Sequence, residues 1–246
     1  IKRDYVRVSP RPNAESVMHQ LPSRISHYNE VYPHKALGYR SPREFIVATK
    51  DPDHVRFRLL YEGELAPRQH VSAGDLHSIR IQLHPQIKAL WQYRPLSDCG
   101  GWLREKPERP GDYAIWERSN DVLLSPLISH KNHLMCELDI TLLRQQEPGQ
   151  LLGEGGGIDS RLKTLFDALR KPSTEEAQTA AIAKRADDDP IHCLLQDDAL
   201  VTRVNVETDR LLRPTEGQFD LVAIIQVTVV LTRVSFGTIN LLSRLQ

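Results

Sequence analysis

Methionine (two residues), cysteine (three) and aromatic side chains (6%) are scarce in this chain of 246 residues, and no long apolar run is present. A helix that crosses a bilayer needs about 20 consecutive apolar residues. The longest candidate, residues 221–231, is broken by Gln226 and Thr228 and reads as a buried strand. The chain opens Ile-Lys-Arg-Asp, without the charged-then-apolar pattern of a signal sequence. Cys99, Cys136 and Cys193 lie far apart, are odd in number and form no C-x-x-C pair. That usage argues for a reducing compartment and against a structural zinc site, so the expected location is cytoplasmic.

Net charge is lacking too, but the zero hides an asymmetry. Residues 1–50 carry nine Lys/Arg and four Asp/Glu, an excess of +5, so totals of 32 and 32 leave the remainder at −5. Such a split suggests two pieces with different partners. The expected division is a segment 1–50, a polar linker 51–55 and a larger unit 56–246.

What is present is patterned. In residues 13–30, Asn13 can cap a helix whose face holds Val17, Leu21, Ile25 and Tyr28, with a kink at Pro22. Ser41-Pro42 suits the start of another short helix. Residues 56–61 suit a strand. Ser72, with Asp75 in the capping-box position, can open a helix to about Tyr93 carrying Leu76, Ile79, Leu83, Ile87, Leu90 and Trp91 on one stripe. Residues 94–133 are rich in turn formers, with one hairpin. Leu134, Cys136, Leu138, Ile140 and Leu142 alternate strictly, which predicts a half-buried strand over 134–143. A helix over 160–171, a polar exposed insertion at about 172–190 and strands at 200–207 and 220–232 complete an α/β unit with a mixed sheet and flanking helices.

Two clusters can carry chemistry. Asp159, Lys163 and Asp167 recur at four-residue spacing on the helix that follows the glycines 153–157, and Asp197-Asp198 precede a strand. Clustered carboxylates repel unless a cation neutralises them, and Mg²⁺ takes a few carboxylates plus water and phosphate oxygens. Such a site can activate water while a lysine steadies phosphate charge. The alternative is structural: an Asp at a helix start is a common cap, and paired aspartates a common turn. The glycines lack phosphate-loop spacing. His130, His133 and Cys136 have ligand-like spacing, but Cys136 belongs to the alternating strand and is expected in the core.

Residues 159–169 and 197–201 together resemble the signature of RusA-type Holliday junction resolvases: Asp-x-Asp-Asn, a Lys four residues after the second Asp, Asp-Ala-Leu, and a later Asp-Asp. Asp159, Lys163, Asp167-Ala168-Leu169 and Asp197-Asp198 match; Gly157 and Ser160 stand where the first Asp and the Asn are expected. The resemblance implies an α/β homodimer acting on branched, four-way DNA. Catalysis would fall to Asp159, Lys163 and Asp198, Mg²⁺ binding to Asp159, Asp197 and Asp198, and DNA contact to Lys163 and Arg161. The carboxylate missing at Gly157 should weaken Mg²⁺ binding and impair cleavage.

Tyr28-Asn29, Pro33-His34, Ala36-Leu37-Gly38-Tyr39 and Ser41-Pro42-Arg43-Glu44-Phe45 resemble the C-terminal end of insertion-sequence transposases with a retroviral-integrase-like, RNase H-like core. Basic side chains interleaved with tyrosines suit phosphate contact and base stacking, with Lys2, Arg3 and Arg40 as candidates. The resemblance implies that the family's acidic triad falls upstream of Ile1, so transposition chemistry is not expected from these residues alone. Three functions are therefore open: a resolvase-like Mg²⁺-dependent endonuclease, a non-catalytic DNA- or protein-binding module of the same fold, and a transposase fragment connected with DNA integration.

Overall fold

Ser72 begins the first long helix as its sequence dictates. Asp75 N–H donates to Ser72 Oγ at 3.2 Å, and Ser72 N–H donates back to the Asp75 carboxylate at 2.8 Å. The helix, α1 (Ala73–Leu90), buries Leu76, Ile79, Leu83 and Ile87 on one stripe. It runs through Pro85, which removes one helical hydrogen bond, because apolar burial on both sides of the proline holds the turn. This is a computed structural model, and it describes residues 55–108, 112–120, 122–145, 157–177, 190–215, 217, 219–233, 238 and 241, with 23, 27, 28, 30–32 and 41.

The chain divides into two compact units, Ile1–Pro52 and Asp53–Gln246. In the first, Ser23, His27, Tyr28 and Glu30 are helical, and the Tyr28 and Tyr32 rings stack with centroids 6.2 Å apart. The remaining expectations for this unit, including the short helix after Ser41, lie outside the described residues.

The second unit is α/β, as the sequence predicts, but it holds two mixed sheets rather than one. The larger runs β1 (Arg56–Glu64), β7 (Asp220–Leu231), β4 (Leu134–Arg144), β6 (Val201–Arg210) in spatial order. β7 is antiparallel to both neighbours, and β6 is parallel to β4. The smaller sheet orders β2 (Glu117–Ser119), β3 (Val122–Ile128) and β5 (Ile191–Leu195), with β5 parallel to β3. The hairpin expected within 94–133 is β2–β3, turning at Asn120 in the left-handed region. β5 is unanticipated. All five of its residues are buried, so it has no alternation to announce it.

Between these strands lie α2 (Ile158–Leu169) and the single turn α3 (Thr174–Ala177). The buried face of α2 carries Arg161, Thr164, Leu165, Ala168 and Leu169, while Leu162 and Phe166 are half-buried. Thr164 Oγ1 donates to Ala66 O at 2.9 Å, which lets a polar residue sit in the core. The insertion at 172–190 needs correction over its first part. Pro172 and Ala177 are buried and Glu176 is tied into an ion network, whereas 178–189 lie outside the described residues.

α1 also seals sheet edges. Gln86 accepts from Leu60 N–H at 2.9 Å and donates to Leu60 O at 2.7 Å. Gln82, one turn earlier, does the same for Glu62, at 3.1 and 2.8 Å. Two side-chain amides thus stand in for a neighbouring strand along β1. On the other flank of the helix, His84 Nδ1 accepts from His192 N–H of β5 at 2.9 Å. Replacing both Gln82 and Gln86 by alanine should cost about 1 kcal/mol per amide at most, because water reaches the freed groups, but it should leave β1 open to pairing. Urea unfolding with light scattering checks both parts; scattering that stays at the wild-type level on concentration would show that the amides do not guard the edge.

Candidate functional site

Gly157 caps α2 without a side-chain hydrogen bond, and Asp159 lies in the first turn, exposed. The Asp159 carboxylate folds back over Gly157 so closely that a Cβ there would meet its Oδ1. Lys163 lies one turn further, also exposed, so the structure brings Asp159 and Lys163 to one flank of the helix.

Arg161 departs from its expected role as a DNA contact. It is 1% exposed, its Nη1 donates to Leu65 O at 2.6 Å, and its guanidinium lies 5.0 Å over the Phe219 ring. Burial, reinforced by the neighbouring Arg144, pulls its pKa down to about 10. Arg161 ties α2 to the end of β1 and is out of reach of a phosphate.

Asp167, the second acid of the helix, is locked into ion pairs. Arg68 Nε lies 2.5 Å from one oxygen and Arg170 Nε 3.1 Å from the other. Burial alone would raise its pKa, but the hydrogen bond from Arg68 and the charge of Arg170 hold it below the usual carboxylate range. Arg170 also meets Glu176 at 3.0 Å, and Glu176 meets the buried Arg80 at 2.6 Å, so one chain of charges binds α1, α2 and α3.

Asp197 accepts from Ala199 N–H at 2.9 Å and caps the short turn 198–200. That backbone hydrogen bond is the main reason its carboxyl lies below its ordinary pKa. Asp198 follows it, exposed. The structural alternative weighed for the pair describes Asp197 correctly.

The expected convergence of Asp159 with Asp197 and Asp198 does not occur. The start of α2 lies near Arg144, at the C-terminal end of β4, since that arginine acts on Arg161. The other end of α2 lies at β5, where Lys171 N–H donates to Leu195 O at 2.8 Å. Asp197 is at that end, influenced by Arg170 and His130, and Val201 pairs with Cys136 at the start of β4. Eleven residues from Asp159 to Arg170 at about 1.5 Å each put the two ends of α2 roughly 16 Å apart. Among the described residues, no three His, Cys, Asp or Glu side chains form a group able to hold a metal ion. Mg–O bonds of about 2.1 Å cannot span such a gap, so these residues do not fit a shared Mg²⁺. Lys2, Arg3 and Arg40 lie outside the described residues. Cys136, at 0% exposure, is a core residue as its alternation indicates.

One cluster is absent from the sequence reading. Glu117 of β2 meets Lys171 and, at 3.1 Å, Lys131, and its other contact is Gln196 Nε2 at 2.8 Å. Burial opposes ionisation, but the hydrogen bonds from Lys171 and Lys131 hold its carboxyl low. It ties together the ends of β2, β3 and β5. Its residues are scattered over 117–196, and only recognition of β5 would have signalled that they meet.

Against known proteins, a stretch of 46 residues, 19% of the chain, is 50% identical to the putative transposase InsD for insertion element IS2E of Escherichia coli K12, covering 21% of it. The same identity over 46 residues relates it to transposase InsD for insertion elements IS2A/D/F/H/I/K and IS2D of Escherichia coli, covering 15% of each. The chain thus spans about a fifth or less of the relatives it matches. This supports the transposase-like segment. No protein-family description matches the chain, and no solved structure does; the resolvase resemblance has no counterpart among these matches. Among the described residues no helix is long and apolar enough to cross a membrane.

The lowered carboxyls of Asp167 and Glu117 fix the sign of a pH effect. Each stabilises the fold above the ordinary carboxylate range, about pH 4, and that contribution is lost as pH falls through the lower folded value. Urea unfolding should therefore show stability falling between about pH 5 and 3. Asp167→Asn should lower stability at neutral pH by roughly 1–3 kcal/mol, since Arg68 loses its carboxylate partner and Arg170 one of its two, and should flatten the acid slope. A wild-type slope in this variant would show that Asp167 is not a source of the effect.

Proposed function

We propose that this chain is a transposase-derived DNA-binding protein, in which residues 1–46 supply the DNA contact and the α/β unit serves as a non-catalytic module. The observation that carries the reading is the 50% identity over 46 residues to transposases of insertion elements. The +5 charge balance of residues 1–50 supports it, because phosphate contact by Lys and Arg is the sequence-independent part of DNA binding. Lys2, Arg3 and Arg40 are the residues assigned to that contact. Cleavage is not assigned to the α/β unit, because Asp159 and Lys163 stand at one end of α2 and Asp197 and Asp198 at the other.

The test measures binding of the full chain to a fluorescent duplex and a four-way junction by anisotropy at several salt concentrations. Binding should weaken steeply with salt. The combined change Lys2→Ala, Arg3→Ala and Arg40→Ala should weaken it on both DNAs and make the log–log salt slope shallower by up to about 0.9 per lost phosphate contact. Unchanged affinity in the triple variant would remove the assignment to residues 1–46.

A parallel assay with Mg²⁺ and a four-way junction should give no cleavage above background, in the wild type and in Gly157→Asp alike. The added carboxylate would join Asp159 while Asp198 remains a helix length away. Cleavage abolished by either Asp159→Asn or Asp198→Asn would overturn the non-catalytic reading and reinstate a resolvase-like nuclease.

A further inference from the structure

The sheet edges of the α/β unit are treated unequally. β1 is sealed by Gln82 and Gln86, β5 is covered by α1 through His84, and β2 is only three residues long. β6 is ten residues long, and among the described residues it pairs only with β4. Long uncovered edges present a row of free backbone donors and acceptors, and proteins ordinarily block them. Among the described residues, one edge strand of the larger sheet is blocked with care and the other is left open.

The side chains of β6 also look unfinished. Val204 pairs in register with Leu138 and shares its core-facing side of the sheet, yet Leu138 is 0% exposed and Val204 is 42% exposed. On the opposite face Arg203 reaches Glu137 and Asp139 at 3.0 Å. Glu207, two positions beyond Asn205, is exposed and takes part in no ion pair among the described residues.

We propose that β6 is the contact strand for a second copy of this chain, paired antiparallel across a two-fold axis at Asn205. In that register Arg203 stands opposite Glu207 of the second copy, Val204 opposite Val206, and Thr202 opposite Thr208, each twice over. Opposite charges and β-branched pairs are the combinations that stabilise directly opposed positions, and pairs of equal parity keep each face continuous. A strand with Arg two places before Asn205 and Glu two places after it is complementary to its own reverse. The pairing joins two four-stranded sheets into one of eight, whose outer edges are both β1. Because each β1 is sealed by glutamine amides, the assembly closes as a dimer instead of growing into a fibre.

Sedimentation equilibrium of the full chain at roughly 50 µM should show a dimer with an affinity in the micromolar range, as a small interface implies. Val204→Lys, at a position already exposed in the single chain, should raise the dissociation constant roughly tenfold or more, because it places a charge opposite an apolar partner. Circular dichroism checks that the variant is folded. Asn205→Cys should cross-link to itself under mild oxidation, since only the residue on the axis meets its own copy at about 5 Å between Cβ atoms, and Thr202→Cys should not. The native cysteines are buried and give little background. A monomer at this concentration overturns the proposal. So does a dimer that survives Val204→Lys, or one that cross-links through Thr202→Cys in place of Asn205→Cys.

Discussion

The pairing of β4 on both sides is the constraint on which the α/β unit depends. Leu134, Cys136, Leu138, Ile140 and Leu142 are at most 2% exposed, and the strand is flanked by β7 and β6 along nearly all of its eleven residues. A one-residue slip would turn that whole row toward solvent, so the register is strongly fixed. The rest follows from its length. The chain leaves at Arg144, α2 returns toward the other end, and the second half of the acidic sequence pattern is delivered where β4 begins. A motif that looks compact in sequence is thereby divided between two ends of one layer.

The charged residues inside the unit are fasteners. Arg80, at 2% exposure, Asp167 and Glu176 join three helices through ion pairs. Glu117 with Lys131, Lys171 and Gln196 joins the ends of β2, β3 and β5 to the end of α2. Removing one member of such a set leaves its partners uncompensated in poorly hydrated surroundings, which costs more than forming the set gains. These side chains are therefore functional in the architectural sense, and their perturbed ionisation is a product of packing.

Much of the fold was legible because it obeys simple periods. The β4 alternation, the Ser72–Asp75 box and the stripe from Leu76 to Ile87 each specify an element without help from the rest of the chain. β5 was hidden because Ile191–Leu195 is buried on both faces and shows no period at all. The buried face of α2 is not marked by apolar period alone, because Arg161 and Thr164 enter the core through hydrogen bonds to Leu65 and Ala66, partners far away in sequence. The site was the least legible part. Spacing along a helix placed Asp159 beside Lys163 correctly, but whether Asp197 and Asp198 approach them depends on the direction of α2 across the sheet. No local pattern encodes that direction. The transposase-like segment was recognisable for the opposite reason, since its match rests on a dense run of particular residues rather than on geometry.

The three thiols have a consequence of a different kind. Cys136 sits mid-sheet in β4, Cys193 in β5 and Cys99 in the turn that follows α1, and each is at most 3% exposed. Burial pushes Cys136 and Cys99 up to about 12, and a thiol reacts through its thiolate. The folded protein should accordingly react slowly with alkylating reagents at neutral pH, so that modification reports the moments when a region opens. With one cysteine in each sheet and one beside the long helix, the sequence carries its own set of probes for whether the two sheets come apart together or in turn.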